Sequence, residues 1–251
     1  MRYAKGVLCQ IRGGGVNWVD CEKCEEKYKF RCFPPPLLEY LYALAKEDGE
    51  ELGDYTVTEL LDCARKINIM KRDGFYINPE NVYEAWKGLI SHEIMAKWTK
   101  PIGETYIEQR FKVEYQGLTI TFQPDRVDFN KDTGNVYDFK FVRDLPTFKK
   151  PYKHHALQLN LYKFFLNLLG KPIKNMYIIY MTTRAMDVYK IEELPSDAIQ
   201  NLIYERVVLH KKNVPVLFND QENWRCRYCE VLPTCVFELL KEGYNLNLKL
   251  K

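Results

Sequence analysis

The chain has 251 residues, 46% of them hydrophobic and 28% charged, which excludes a low-complexity or disordered chain and leaves room for a substantial core. Its net charge of +3 and pI of about 8.3 permit nucleic-acid binding without arguing for it. No apolar run approaches the length of about 18 residues that a membrane span requires, and residues 1–12 carry charges where a secretory signal would be apolar, so a soluble cytoplasmic protein with reduced thiols is expected.

Residues 1–36 form a cysteine-rich extension. It holds Cys9, Cys21, Cys24 and Cys32, a Gly13-Gly14-Gly15 turn and a stiff Pro34-Pro35-Pro36 stop. A helical region, 37–105, follows. Its first helix covers about 37–47. A second is opened by a capping box, Thr56 to Glu59, with Leu60, Leu61, Ala64, Ile67 and Met70 on its apolar stripe and Cys63 along it. A third runs from about 79 to 98. The period then changes to two. Strands are expected at 106–115, 117–129 and 135–142, a helix at 152–169, a buried strand at 174–182, an edge strand at 187–192 and a helix at 196–212. The basic run at 148–155 reads as a solvated loop. This order predicts an α/β core over 106–215 with a C-terminal segment, 216–251.

The most informative stretch runs from Pro124 to Lys140. Lys131-Asp132-Thr133-Gly134 suits a type I turn closed by a left-handed glycine. That turn pairs Phe129 with Tyr137, Asp128 with Asp138 and Val127 with Phe139. Val127, Phe129, Tyr137 and Phe139 then form a core face. Asp128 and Asp138 oppose each other on the other face, about 5 Å apart at Cβ, with Lys140 two residues on. Facing carboxylates repel unless a cation lies between them, and two carboxylates with a lysine are what metal-assisted phosphodiester hydrolysis needs.

The residues Pro124-Asp125 and Asp138-Phe139-Lys140 resemble the motif of the PD-(D/E)xK nucleases, and their companions resemble the RecB-like branch. Gly88-Leu89-Ile90-Ser91-His92 is similar to that family's GxxxH helix, and Gln158-Leu159-Asn160-Leu161-Tyr162 to its QLxxY motif. The resemblance implies a restriction-endonuclease-like fold, a mixed sheet flanked by helices. It implies Mg or Mn held by His92, Asp128, Asp138 and the Phe139 carbonyl, with Lys140, Gln158 and Tyr162 completing the catalytic set. The family commonly spaces its two acids by about a dozen residues. Asp125 precedes Asp138 by thirteen and Asp128 by ten. The local Arg126-Val127-Asp128 pattern and the derived register favour Asp128, with Asp125 as its substitute.

Cys226, Cys229 and Cys235, with Cys63 far upstream, resemble the iron–sulfur nucleases, namely the AddB-type subunits and the CRISPR-associated Cas-four family. That likeness implies an iron–sulfur cluster, 4Fe-4S rather than 2Fe-2S, whose ligation energy becomes folding energy. Zinc is the alternative for these four; for Cys9, Cys21, Cys24 and Cys32 zinc is the first reading, with a second cluster or no metal as the alternatives. The implied function is single-stranded DNA exonuclease action during CRISPR spacer acquisition, beside an integrase complex. The alternatives are a DNA-end-binding or partner-binding module that does not cut, and a replication or recombination nuclease of a mobile element.

Overall fold

A computed structural model describes residues 3–9, 13–23, 53–77, 88, 103–147, 149–216 and 223–244. By internal contacts the chain forms two compact units that interleave along the sequence. One unit takes residues 1–52, 62–83 and 208–251, the other 53–61 and 84–207.

The second unit is built on a five-stranded sheet. Its strands are β5 (Glu104–Ile107), β8 (Arg126–Asn130), β9 (Thr133–Phe141), β10 (Ile173–Met181) and β11 (Met186–Lys190), in the order β11-β10-β9-β8-β5. β9 and β10 are parallel and the other pairs antiparallel, so the sheet is mixed. The parallel pair needs a crossover, supplied by α4 (Lys153–Leu168). Leu159, Leu161, Phe165 and Leu166 of α4 are fully buried in one core with Val127, Val136, Met176 and Ile178 of the sheet. A smaller sheet, β3 (Tyr55–Thr56), β7 (Leu118–Phe122) and β6 (Phe111–Tyr115) in that order, adds Ile120 and Phe122 to the same core.

The capping box forms as read. The Glu59 amide donates to Thr56 Oγ1 at 3.1 Å and the Thr56 amide to Glu59 Oε2 at 2.9 Å. The helix it opens is shorter than expected. α2 (Val57–Leu61) stops, and α3 (Ala64–Asp73) begins with Cys63 as its N-cap in extended backbone, φ −63° and ψ 119°. Asp62 Oδ1 accepts the Cys63 amide at 2.7 Å, a local bond that competes with helix continuation. Cys63 therefore sits at a break rather than on a continuous stripe.

The β8–β9 register differs from the expected one. Val127 pairs with Val136, Asp128 with Asn135, Phe129 with Gly134 and Asn130 with Thr133. The connection is the two-residue Lys131-Asp132 turn, with Lys131 at φ +56°, a left-handed geometry that follows strand twist. Gly134 is not the turn's left-handed residue. It sits inside the strand because a Cβ there would lie 2.9 Å from the Phe129 ring and 3.0 Å from Ile173. The shift from the expected register is three residues, an odd number, so it exchanges the faces of one strand relative to the other. Val127 and Phe129 share a face with Val136, not with Tyr137 and Phe139.

In the first unit β2 (Gly15–Asn17), β1 (Ala4–Leu8) and β4 (Phe75–Ile77) make a sheet in that order, and α1 (Trp18–Glu22) follows β2. The Gly13-Gly14 turn closes the β1–β2 hairpin with φ of +66° and +82°. α3 packs on α6 (Leu232–Lys241), where Ile67, Ile69 and Met70 meet Val231, Cys235 and Leu239. Buried Arg65 bonds Glu242 at 2.5 Å and Glu238 at 3.2 Å. No helix among the described residues is long and apolar enough to cross a membrane.

Phe165 is wholly enclosed by the main core, so Phe165→Ala should destabilise the protein by about 3–5 kcal/mol. Thr56→Ala, which removes one half of the capping box, should cost about 1 kcal/mol. Denaturant unfolding of the two variants measures both.

Candidate functional site

The residue just before β8, Asp125, lies next to the strand that carries Asp138, since its carboxylate accepts from the Phe139 amide. One step beyond the Arg126–Tyr137 pair, Asp125 falls opposite Asp138. One step beyond the Ile107–Arg126 pair, Glu108 falls opposite Asp125, and the Glu108 amide donates to the Asp125 carbonyl at 3.0 Å. Asp125 is 8% exposed and Asp138 1%. The Phe139 amide donates to Asp125 Oδ2 at 2.5 Å, which ties the first acid to the strand carrying the second. Lys140 Nζ lies 3.0 Å from Asp138 Oδ1 and 2.8 Å from Oδ2. Burial pulls the Lys140 ammonium down, but Asp138, then Asp125, and also Glu108 outweigh it and hold its pKa above the ordinary value. The lysine is thus a fixed positive charge.

Contrary to the expected register, Asp128 does not stand opposite Asp138. It lies on the opposite side of the sheet from Asp138 and Lys140, because its register partner is Asn135. Arg126 Nε donates to both its oxygens, at 2.9 and 2.8 Å, and Thr105 Oγ1 donates to Oδ1 at 2.8 Å. Arg126 is buried. The Arg126-Asp128 pair closes the far side of the sheet, while Asp125, the substitute in the sequence reading, stands beside Asp138.

α4 covers the acids' face. The Gln158 amide nitrogen donates to the Tyr162 hydroxyl at 2.6 Å, as expected for residues four apart on one helical side. Tyr162 is buried. Burial first, and then the charge of Asp138, hold its phenol well above the ordinary range despite hydrogen bonds from Gln158 and Thr58, with Asp125 adding to the rise. It remains a neutral orienting group. Tyr180 of β10 is the register partner of Lys140. Glu108, whose carboxylate accepts from Gln123 Nε2 at 3.0 Å, and Tyr180 were not singled out from the sequence. Glu108 follows a short strand whose pairing only the fold reveals, and Tyr180 sits in an apolar run that reads simply as core. Gly88 is helical, but His92 lies outside the described residues.

Cys63, Cys226, Cys229 and Cys235 line one pocket of about 410 Å³, part of it open to solvent, together with Val216, Val231 and Leu232. Asp62, Lys66 and Arg225 stand at the same pocket. Cys63 Sγ accepts from the Val216 amide at 3.5 Å. Burial pushes the thiols of Cys226, Cys229 and Cys235 up to about 11, and neighbouring cysteines add to the rise. Among the described residues no three His, Cys, Asp or Glu side chains close on a common centre as a metal site would. Cys9 and Cys21 are half-buried. Cys24 and Cys32 lie outside the described residues.

A family model described as the PD-(D/E)XK nuclease superfamily matches residues 38–236. Among solved structures, the protein SSO0001 is 22% identical with a TM-score of 0.58, over 79% of this chain and 93% of its own, a likeness of fold. A candidate exonuclease from Eubacterium rectale is 12% identical with a TM-score of 0.35, over 81% of this chain and 85% of its own. Comparison with curated proteins gave no match.

Removing Asp128 would take away the carboxylate that accepts from the buried Arg126 guanidinium at 2.8 and 2.9 Å. Asp128→Ala should destabilise the fold by about 3 kcal/mol, and a fall in the unfolding midpoint is the measurement. A variant as stable as the parent would show that the far-side pair has no structural role.

Proposed function

The chain belongs to the PD-(D/E)XK nuclease superfamily, and we propose that it hydrolyses DNA phosphodiesters at the face formed by Asp125, Asp138 and Lys140. The observation that carries this reading is the pairing of two buried carboxylates on adjacent strands with an ammonium group 2.8 Å from one of them. A buried acid pair is tolerable only with compensating positive charge, and its oxygen donors suit a hard divalent ion such as Mg or Mn.

Asp125 and Asp138 would hold that ion, with the Phe139 carbonyl and His92 as the further ligands implied by the family resemblance. When bound, the ion would polarise the phosphate and ease loss of a proton from an attacking water. Lys140 is placed to stabilise the charge that develops on the phosphate. It needs no proton transfer to do so, since the acids keep it charged. Gln158, steered by Tyr162, presents its amide toward the same face and fixes the position of the substrate. Asp128 leaves the metal set in this reading and Asp125 takes its place.

The four-cysteine pocket supports a second group. Four thiols lining one pocket are the donor set that a cubane cluster takes. Thiols held protonated by burial would release their protons only to a strongly positive centre. Cys63, Cys226, Cys229 and Cys235 would hold the cluster, and zinc would belong to Cys9, Cys21, Cys24 and Cys32. Action on single-stranded ends, and the trimming of DNA for a CRISPR integrase, follow from the resemblance to the Cas-four family.

Asp125→Asn, Asp138→Asn and Lys140→Ala should each lower Mn-dependent cleavage of a labelled single-stranded oligonucleotide by at least about a hundredfold. Asp128→Asn should leave turnover within about tenfold of the parent once its lower stability is allowed for. Full cleavage by Lys140→Ala would overturn the assignment. Anaerobically purified protein should be brown and contain iron, and Cys226→Ala should lose both. A colourless preparation holding only zinc would refute the cluster.

A further inference from the structure

The basic stretch that follows β9 has no part in the reading above. Between Val142 and His155 stand Arg143, Lys149, Lys150 and Lys153 against one acid, Asp144, a balance of +3 with histidine counted as neutral. That equals the net charge of the whole chain, so all other residues together sum to zero. The excess positive charge of the protein is thus concentrated in one connection, where it makes a local field that an even spread would not.

The fold puts that connection beside the proposed site. β9 and β10 run parallel, and the connection leaves the carboxyl end of β9, the end outside which open α/β sheets bind their ligands. It starts at Val142, two residues beyond Lys140 and so about 7 Å along the strand. The Val142 amide donates to the Met181 carbonyl of β10 at 2.8 Å. The connection ends at Tyr152, whose amide donates to the Tyr180 hydroxyl at 3.0 Å, and Tyr180 is the register partner of Lys140. Both ends are therefore fixed near the lysine that pairs with Asp138.

The middle is anchored as well. Val142 and Leu145 pack against the main core. Pro146 is buried, and its carbonyl accepts from the Lys149 amide at 3.3 Å. With these apolar residues inside, the cations stand outside. The Arg143 side chain is 94% exposed, and Lys149, Lys150 and Lys153 are exposed too. Arg143 lies 3.9 Å from Asp144, whose side chain is 87% exposed, a contact worth little in water. Among the described residues, no carboxylate pairs with Lys149, Lys150 or Lys153. Such a row of cations on a held backbone suits a polyanion whose charges repeat along a line, and the backbone needs little ordering when it binds.

We propose that the connection from Arg143 to Lys153 grips the sugar–phosphate backbone of the DNA strand beside the scissile phosphate, through Arg143, Lys149, Lys150 and Lys153. These contacts hold the strand without reading its bases. The proposal rests on the reading of the Asp125–Asp138–Lys140 face as a phosphodiester site.

The test is fluorescence anisotropy of a labelled oligodeoxythymidine with the full chain in EDTA, where no metal-dependent cleavage competes. Salt is varied from about 50 to 200 mM, and each phosphate contact on a single strand contributes about 0.7 to the slope of log affinity against log salt. Lys149→Gln with Lys150→Gln should lower that slope by about 1.4, and adding Lys153→Gln should take the fall to about 2. Binding by the triple variant at the low-salt end should weaken at least about tenfold. Arginine at the same three positions should keep the parent's slope. Lys131→Gln with Lys174→Gln makes the same change in net charge as the first pair. Both positions are exposed, in the β8–β9 turn and at the start of β10, at the sheet end away from the connection. That control should stay within about 0.5 of the parent's slope. An unchanged slope in the triple variant, an equal fall in the control pair, or absence of DNA binding by the parent would each overturn the proposal. Cleavage with an unchanged slope would overturn it alone. The expected slopes without cleavage under any divalent ion would instead sink the hydrolytic reading and leave this one standing.

Discussion

The site depends on how closely two carboxylates can be placed inside a folded protein. Asp125 and Asp138 face each other across neighbouring strands with almost no exposure to water. Left alone they would drive each other to take up protons. The fold answers with the Phe139 amide on one acid and the Lys140 ammonium on the other. Both partners come from the strand that carries the second acid, so the pair is held by local backbone geometry. In the proposed reading, a metal ion would enter a site whose electrostatics already favour positive charge.

The same principle organises the cysteine pocket by different means. There the acidic groups are thiols, and burial keeps the proton on them. The carboxylates of the proposed metal face have a lysine beside one of them, whereas the thiols of the cysteine pocket would keep their protons until a metal displaced them. The two sites thus differ in how they would meet a cation.

Much of this was legible in the sequence. The capping box, the crossover helix and the Gln158–Tyr162 spacing each rest on a local rule that the fold respects. The hairpin register did not, because Lys131-Asp132-Thr133-Gly134 satisfies two turn chemistries and only tertiary packing chooses between them. Gly134 reads as a turn glycine, yet its lack of a side chain serves contact with Phe129 and Ile173. The preference for Asp128 over Asp125 rested on that register together with the local Arg126-Val127-Asp128 pattern. Spacing alone favoured Asp125. Cys63 shows a smaller version of the same effect, where an aspartate next door ended a helix that its apolar stripe would have continued. Glu108 and Tyr180 have no local signature at all, since their meaning comes from neighbours far away in the chain.

Gly134 also bears on how this scaffold can vary. The residue touches no part of the chemistry, yet any side chain at its position must push against a ring and a branched aliphatic group at under about 3 Å. The easiest escape would be to slide one strand past the other, and a slip by an odd number of residues would point one acid away from its fellow. Mutational screens should therefore find a hot position at the hairpin tip that looks dispensable by proximity. Grafts of this hairpin onto other scaffolds would have to carry the cramped glycine along with the acids.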